Sequence, residues 1–288
     1  MTEPQAIDDL WQRDGCIVVP AIFAADRIAR LRGICDAVRT RWLERDPQTG
    51  LPGGDPASIT AMRHLNHPDY HRDRPEALVD LLEACADEAV LSVLRVVWRE
   101  EPLFRCTSLF FNPTVQSTEG NWHRDCQFGR PEAEDERAHI LAQRARAAGG
   151  VQIQIALVAN DDLEFVPGSQ SRWDDDEELR VRRSDAFAHA TEPLPGALRL
   201  ALQPGDAAFF DPMGLHRGRY HADRPRRSLM LTYTPTSMPA SDWFSAQPWC
   251  LEPGYLDDVS PATHAFFTRF IAAYRDGWTA AESASAAS

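Results

Sequence analysis

The spacing of apolar residues changes near Pro102, and this change constrains the fold more than any other feature of the sequence. Before it, apolar residues recur at helical spacing in two regions, from Ile28 to Trp42 and from Leu78 to Val97. After it, side chains alternate, most clearly from Val151 to Val158, and turn signals such as Pro204-Gly205 separate several short runs. Helices followed by many short strands predict an α+β class, with helices packed on a β-sandwich or barrel.

The length and composition allow one domain with a large core. The chain has 288 residues, of which 43% are hydrophobic, and all-β sandwiches or barrels of roughly 200–250 residues commonly form a single domain. We therefore expect one domain over residues 1–279. Residues 280–288 are nearly all Ala and Ser, and we expect them to form a disordered tail.

The charge and the cysteines argue against several classes of function. The formal net charge is -13, which disfavours a nucleic-acid partner or an anionic membrane, because phosphate binding needs clustered Lys and Arg. No apolar run approaches the roughly 18 residues of a membrane span. The start of the chain is polar, and none of the six cysteines belongs to a CxxC pair. The sequence therefore predicts a cytoplasmic protein with reduced thiols; it carries no signal for an oligomeric state.

A candidate metal site is formed by His123, Asp125 and a distant third residue, His216. Residues two apart on a strand project to the same side, so His123 and Asp125 can face one ion. Two imidazoles and one carboxylate are the ligands of the 2-His-1-carboxylate facial triad, which holds iron and leaves open positions. A single His-x-Asp is more often a surface ion pair, so the pattern gains weight only from the rest of the chain.

Further segments of the chain match one family in order and spacing. They are the strand-like run Asp14-Gly15-Cys16-Ile17-Val18-Val19-Pro20, the Trp122-His123-Arg124-Asp125 motif, the run Leu163-Glu164-Phe165-Val166-Pro167-Gly168-Ser169, and the segment from His216 to Tyr233. With these segments the chain resembles the phytanoyl-CoA dioxygenase superfamily of Fe(II)/2-oxoglutarate-dependent oxygenases. The resemblance implies a double-stranded β-helix, also called a jelly-roll or cupin-like core. Gln170 and Asn160-Asp161-Asp162 depart from the family pattern, which leaves the local turn open.

The resemblance also implies the chemistry. His123, Asp125 and His216 would hold Fe(II), with 2-oxoglutarate as co-substrate, O₂ as oxidant, and ascorbate as a reductant that can support activity. Asp125 fills the position that halogenating relatives leave free for chloride. The expected reaction is therefore hydroxylation, desaturation or cyclisation of a small molecule, with release of succinate and CO₂.

The arginine that would bind the far carboxylate of 2-oxoglutarate is Arg227 by its position in the resemblance. A planar guanidinium suits that task because it grips a carboxylate with two hydrogen bonds. Arg226 is adjacent and points the other way on a strand, so only one of the two can bind the co-substrate. Alternatively, both belong to a basic surface run, Arg224–Arg227.

Other candidates follow from strand alternation and from the resemblance. If the strand after Pro102 alternates regularly, one of its faces carries Phe104, Ser108, Phe110 and Asn112. In the strand from Val151 to Val158, Gln154 lies on the face opposite to Ile153 and Ile155. We expect three of these to contact 2-oxoglutarate or substrate, or each other: Ser108, Asn112 and Gln154. The expected substrate contacts are Arg63, His64 and Trp173, although Trp173 also fits a packing role.

Two alternatives remain open from the sequence. The first is a metal-dependent hydrolase or isomerase on a cupin-like barrel, which would use the same ligands but would give Arg227 no task. The second is a non-catalytic protein that keeps the fold.

Overall fold

The structure, a computed structural model, describes residues 3–143 and 148–286. Within them the chain forms seven α-helices: α1 Pro4–Asp14, α2 Ala25–Glu44, α3 Pro75–Cys85, α4 Glu88–Trp98, α5 Ala133–Gln143, α6 Asp176–Arg182 and α7 Pro261–Ala286. Local signals explain several boundaries. Helix α1 begins with Pro4 and ends at Gly15, whose φ of 68° suits the left-handed position after a helix. Asp87 caps α4 by accepting a hydrogen bond from the Ala89 N–H.

The same described residues contain ten strands: β1 Cys16–Val19, β2 Ala61–Arg63, β3 Pro102–Phe111, β4 Thr118–Glu119, β5 Val151–Ala156, β6 Asn160–Phe165, β7 Leu198–Leu202, β8 Ala207–Phe210, β9 His216–Tyr220 and β10 Arg227–Pro235. They pair antiparallel in a six-stranded sheet, in the order β1-β8-β5-β10-β3-β2, and a four-stranded sheet, in the order β4-β9-β6-β7. Together with the packed helices, this confirms the predicted α+β class and jelly-roll core.

The six-stranded sheet is buried on both faces. Its outer face contributes Leu109, Leu229 and Leu231 to a hydrophobic core that also contains residues of α1, α2, α3, α4 and α7. Its inner face contributes Phe210, which packs against Phe165 of the smaller sheet with ring centroids 6.2 Å apart. The helices therefore support the sheet from one side and leave its other side to form a cavity with the smaller sheet.

A β-bulge changes the direction of side chains near the start of β3. On β10, Thr232 pairs with Cys106 and Tyr233 pairs with Phe104, so Arg105 is the extra residue. The Phe104 ring consequently contacts Phe267 of α7. The expectation that Phe104 shares a face with Ser108 and Phe110 is therefore wrong, because one inserted residue reverses the alternation.

The C-terminal segment differs from its prediction. Helix α7 extends to Ala286, so residues 280–286 are helical rather than a disordered tail, and residues 287–288 lie outside the described part. Alanine has the highest helix propensity, which lets an Ala-rich segment continue an existing helix. No helix in the described ranges is both long enough and apolar enough to span a membrane.

Candidate metal centre and its cavity

The structure brings His123, Asp125 and His216 together. His216 is the first residue of β9, and the backbones of His123 and His216 exchange two hydrogen bonds of 3.1 and 3.0 Å. The backbone N–H of Asp125 donates to the carbonyl of Pro212, at 2.9 Å. As a result, one potential ligand atom from each of the three side chains lies within 4.8 Å of the others. Backbone pairing thus joins residues that are far apart in the sequence.

Hydrogen bonds orient both imidazole rings. Nδ1 of His123 lies 2.8 Å from the carbonyl oxygen of Asn121, and Nδ1 of His216 lies 2.9 Å from that of Gly214. A carbonyl oxygen only accepts, so in each neutral ring Nδ1 carries the proton and Nε2 keeps its lone pair. Each Nε2 lies 3.6 Å from Oδ1 of Asp125. This arrangement, with the outer ring nitrogen bonded to a carbonyl, is typical of metal-binding histidines.

The electrostatics of the centre favour the form that binds metal. Burial, and next to it the neighbouring His123, lower the pKa of His216 to about 4, so the ring is neutral at pH 7. A neutral imidazole is the ligand form. The second carboxylate oxygen of Asp125 accepts a hydrogen bond from Nε2 of Gln152, which leaves Oδ1 facing the two rings. This set of one oxygen and two nitrogens fits a divalent iron.

The three side chains line a cavity of about 870 Å³ between the two sheets. Arg226 and Gln154 line the same cavity, as does Arg63 of β2. The aromatic rings of Phe110, Phe210 and Tyr220 form part of its wall. A cavity of this size accommodates a co-substrate together with a small molecule.

Arg226, rather than Arg227, faces this cavity. The Arg226 side chain is fully buried, and Nη2 donates to the side-chain oxygen of Gln154, at 3.3 Å. Its Cζ lies 5.0 Å from the centroid of the Tyr220 ring, and its Nε has no hydrogen-bond partner among the described residues. Arg227 instead forms an ion pair with Asp36 of α2, on the helical side of the sheet. The expectation that Arg227 reaches the co-substrate is therefore wrong, because alternation turns it towards α2.

The other predicted contacts divide into two groups. Gln154 and Arg63 line the cavity, so contact with a bound ligand stays the prediction for both. The described lining does not include the remaining four, Ser108, Asn112, His64 and Trp173.

Each of these four side chains has a different environment. Ser108 lies on the inner side of β3, fully buried, and its hydroxyl has no partner among the described residues. Asn112 donates to the carbonyl of Arg224, and Trp173 lies 5.6 Å from the guanidinium carbon of Arg182. His64 is buried and hydrogen-bonded to Gln48 and to the Phe244 carbonyl. Asn112, His64 and Trp173 thus contact other parts of the protein, whereas the Ser108 hydroxyl stays unpaired among the described residues.

The sequence reasoning missed Arg124, which lies between two of the candidate ligands. This side chain is fully buried and donates to Oδ1 of Asp174 through Nε and Nη2, at 2.9 and 2.6 Å. Its Nη1 donates to the carbonyls of Ser169 and Met213. The sequence did contain a signal for this role. Side chains alternate in direction along an extended segment, so if His123 and Asp125 face the ion, Arg124 must point away from it. Arg124 thereby fixes the backbone that presents both ligands.

Comparisons with known proteins agree with this geometry. The sequence model of phytanoyl-CoA dioxygenase matches residues 11–228. No protein with a curated description matches.

Solved structures show the same fold at low identity. AviO1 from Streptomyces viridochromogenes Tue57 is 21% identical with a TM-score of 0.56, and the match covers 84% of this chain and 99% of that one. EctD from S. alaskensis with bound Fe is 21% identical with a TM-score of 0.59, over 85% of this chain and 83% of that one. HygX from Streptomyces hygroscopicus, with nickel and 2-oxoglutarate bound, is 15% identical with a TM-score of 0.56, and the match covers 82% of this chain and 87% of that one.

Proposed function

Because the chain belongs to the phytanoyl-CoA dioxygenase family, we propose that it is an Fe(II)- and 2-oxoglutarate-dependent oxygenase that acts on a small molecule. One observation carries this proposal: the three candidate ligands and a buried guanidinium, that of Arg226, face one cavity. Related folds in EctD and HygX have been solved with iron, or with nickel and 2-oxoglutarate, which supports the assignment.

In this proposal, His123, Asp125 and His216 hold Fe(II) through two imidazole nitrogens and one carboxylate oxygen. When bound, iron with 2-oxoglutarate and O₂ supplies an oxidant that removes hydrogen from the substrate while 2-oxoglutarate becomes succinate and CO₂. The protein orients these groups and keeps water from the cavity. Gln152 holds the second oxygen of Asp125, so the carboxylate keeps one orientation.

Arg226 would bind the far carboxylate of 2-oxoglutarate. Its guanidinium is buried, already oriented by Gln154 and by the Arg219 carbonyl, at 3.3 and 3.0 Å, and lies beside aromatic rings. In the described part of the chain, one carboxylate approaches it, that of Asp162, whose Oδ2 lies 3.7 Å from Nε. A buried guanidinium that is incompletely paired gains two charge-assisted hydrogen bonds from a carboxylate ligand.

The reaction we propose is hydroxylation, desaturation or cyclisation. The Asp125 carboxylate lies against both imidazoles and occupies the position that chloride would need for halogenation. A cupin-like hydrolase or isomerase would use the same three ligands but would leave the buried Arg226 without a task. The presence of all three ligand types argues against a non-catalytic protein.

Succinate formation tests this function directly. The protein would be loaded anaerobically with Fe(II), 2-oxoglutarate and ascorbate, and succinate would be measured before and after O₂ is added. We expect succinate that depends on both iron and O₂, which is lost in His123→Ala and retained in His189→Ala, a change at an exposed histidine outside the cavity. A protein that binds neither Fe(II) nor 2-oxoglutarate would contradict the proposal.

A further inference from the structure

Arg63 is a cavity-lining cation that has no partner of opposite charge among the described residues. Its side chain extends from β2, where Arg63 pairs with Ser108 of β3, into the cavity. Its only hydrogen bond to a described residue goes to the carbonyl of Met62, at 3.2 Å. Among the residues that the structure describes, no carboxylate lies within 4.0 Å of its guanidinium. A partly buried charge without a counter-ion is unfavourable unless a ligand supplies one.

Three other arginines that line the cavity differ from Arg63 in this respect. Arg105 forms an ion pair with Asp242, and Arg217 forms one with Glu164. Arg226, which we assign to 2-oxoglutarate, at least has the Asp162 carboxylate nearby. Of the five arginines that line the cavity, three therefore have a nearby carboxylate, whereas Arg63 and Arg130 have none among the described residues.

Aromatic rings hold the Arg63 guanidinium in place. Its Cζ lies 5.0 Å from the centroid of the Phe110 ring and 5.9 Å from that of Phe244. Such contacts stabilise a cation and limit the orientations of its planar group. A guanidinium held in this way presents its N–H groups as a fork, which matches the oxygens of a carboxylate or a phosphate.

Phe110 also connects Arg63 with the proposed co-substrate site. The same ring lies 5.5 Å from Cζ of Arg226, so two guanidiniums contact one aromatic side chain. On its other side, Arg63 lines a second cavity of about 330 Å³, together with Trp42, Trp243 and the polar side chains of Asp46 and Gln48. Arg63 therefore stands where the metal cavity meets a second space of mixed polar and apolar lining.

We propose, building on the function proposed above, that the substrate carries an anionic oxygen group, a carboxylate or a phosphate, that binds Arg63 while 2-oxoglutarate occupies Arg226. The apolar part of the substrate lies against Phe110 and Phe244. The substrate class is thus an amphipathic acid rather than a neutral or cationic molecule.

Binding of matched probes tests the proposal without turnover. The full chain would be loaded anaerobically with Fe(II) and saturating 2-oxoglutarate, and then titrated calorimetrically with 3-phenylpropionate, phenyl phosphate or the neutral 3-phenylpropionamide. We expect at least one of the two anions to bind roughly tenfold to a hundredfold more tightly than the amide, because hydrogen bonds to charged groups are the stronger ones. The anion that shows this preference identifies the group as a carboxylate or a phosphate.

Two variants make the result specific. Arg63→Gln should reduce anion binding to the level of the amide. Arg130→Gln should leave it unchanged, although Arg130 also lines the cavity and has no carboxylate partner in the described part of the chain. Retained Fe(II) binding would show that Arg63→Gln is folded. If both anions bind no better than the amide, or if Arg130→Gln rather than Arg63→Gln abolishes the preference, the proposal is wrong.

The failure of this inference can be separated from the failure of the proposed function. Arg226→Gln should weaken binding of 2-oxoglutarate to the Fe(II)-loaded chain, while Arg63→Gln should leave that binding unchanged. If 2-oxoglutarate does not bind the unaltered protein but an anion still binds through Arg63, the oxygenase function is contradicted and the anion site remains. If 2-oxoglutarate binds through Arg226 and neither anion depends on Arg63, only the inference about the substrate is lost.

Discussion

Arg226 and Arg227 are neighbours in the sequence, yet their side chains lie on opposite sides of the six-stranded sheet. Arg226 contacts Gln154 inside the cavity, whereas Arg227 forms an ion pair with Asp36 of α2. Because Arg227 points outward, its ion pair with Asp36 connects β10 to helix α2. The inward direction of Arg226 leaves a buried cation beside the candidate metal centre.

The first prediction compares these two arginines. Arg226→Gln should raise the KM for 2-oxoglutarate roughly 10- to 100-fold, since the lost hydrogen bonds to a carboxylate are worth about 1.5–3 kcal/mol. Arg227→Gln removes the same charge on the other side of the sheet and should change this KM less than about twofold. Steady-state succinate kinetics measure both values. An equal effect of the two variants would contradict the assignment.

The second prediction concerns the metal. The unaltered chain should bind about one Fe(II), and His123→Ala or His216→Ala should bind it far more weakly, because each removes one of three protein ligands. The amount of iron retained after anaerobic desalting measures the effect. His189→Ala, at a histidine that pairs with Glu192 on the surface, is the matched control. Iron retention equal to the control in either variant would contradict the proposed ligand set.

The third prediction concerns Gln152, which donates to Oδ2 of Asp125, the carboxylate oxygen that does not face the two imidazoles. Gln152→Leu should weaken metal binding about 10- to 100-fold, because residues that orient ligands typically contribute effects of that size. Titration with Fe(II) under anaerobic conditions gives the affinity. Gln203→Leu, at an exposed position, should leave it unchanged. If the two variants bind iron equally well, Gln152 does not orient Asp125.

The fourth prediction concerns the stability that Arg124 contributes. Arg124→Met removes one of the two arginine partners of buried Asp174, which keeps Arg182, and takes one donor from each of the Ser169 and Met213 carbonyls. The free energy of unfolding should fall by about 1–3 kcal/mol, as expected when buried polar groups lose hydrogen-bond partners. Arg30→Met breaks an exposed pair with Asp26 and should cost about 0–1 kcal/mol. Urea unfolding of both variants, monitored by circular dichroism, checks the difference, and similar losses would contradict it.

The fifth prediction is a pH dependence of stability caused by His64. Burial lowers its pKa from 6.5 to about 4, and its neutral ring accepts from Gln48 while donating to the Phe244 carbonyl. Between pH 6.5 and 4 the unfolded chain binds a proton at this position and the folded chain does not. The stability contributed by neutral His64 is therefore present above pH 6.5 and is lost as the pH falls towards 4, by about 3 kcal/mol in total.

His64→Asn isolates this contribution. Asparagine tolerates the positive φ of 57° at this position and does not titrate, so the free energy of unfolding should fall less steeply between pH 6.5 and 4 than in the unaltered chain. Urea unfolding at a series of pH values gives the slope. His189→Asn, at an exposed site, should keep the original slope. If His64→Asn also keeps it, His64 is not the titrating group.

The sequence alone indicated the helical regions from Ile28 to Trp42 and from Leu78 to Val97 and the strand that begins at Val151, because the spacing of apolar residues reflects local geometry that needs no knowledge of the rest of the fold. It also identified His123, Asp125 and His216, since few residue types can form such a donor set. It failed in two places for different reasons. One inserted residue, Arg105, reversed the alternation of β3 and turned Phe104 towards α7. The Ala-rich segment continued α7 instead of forming a tail, because alanine favours helix.

Only the tertiary structure decided which of two adjacent arginines faces the cavity. Alternation requires Arg226 and Arg227 to point in opposite directions, but the side on which α2 packs determines which of them is inside. The same holds for His64, which is satisfied by Gln48 and a distant carbonyl, and for Arg63, whose hydrogen bond among the described residues goes to the adjacent Met62 carbonyl. The partners of a polar side chain come from other elements of the fold, so their presence or absence cannot be read from neighbours in the sequence.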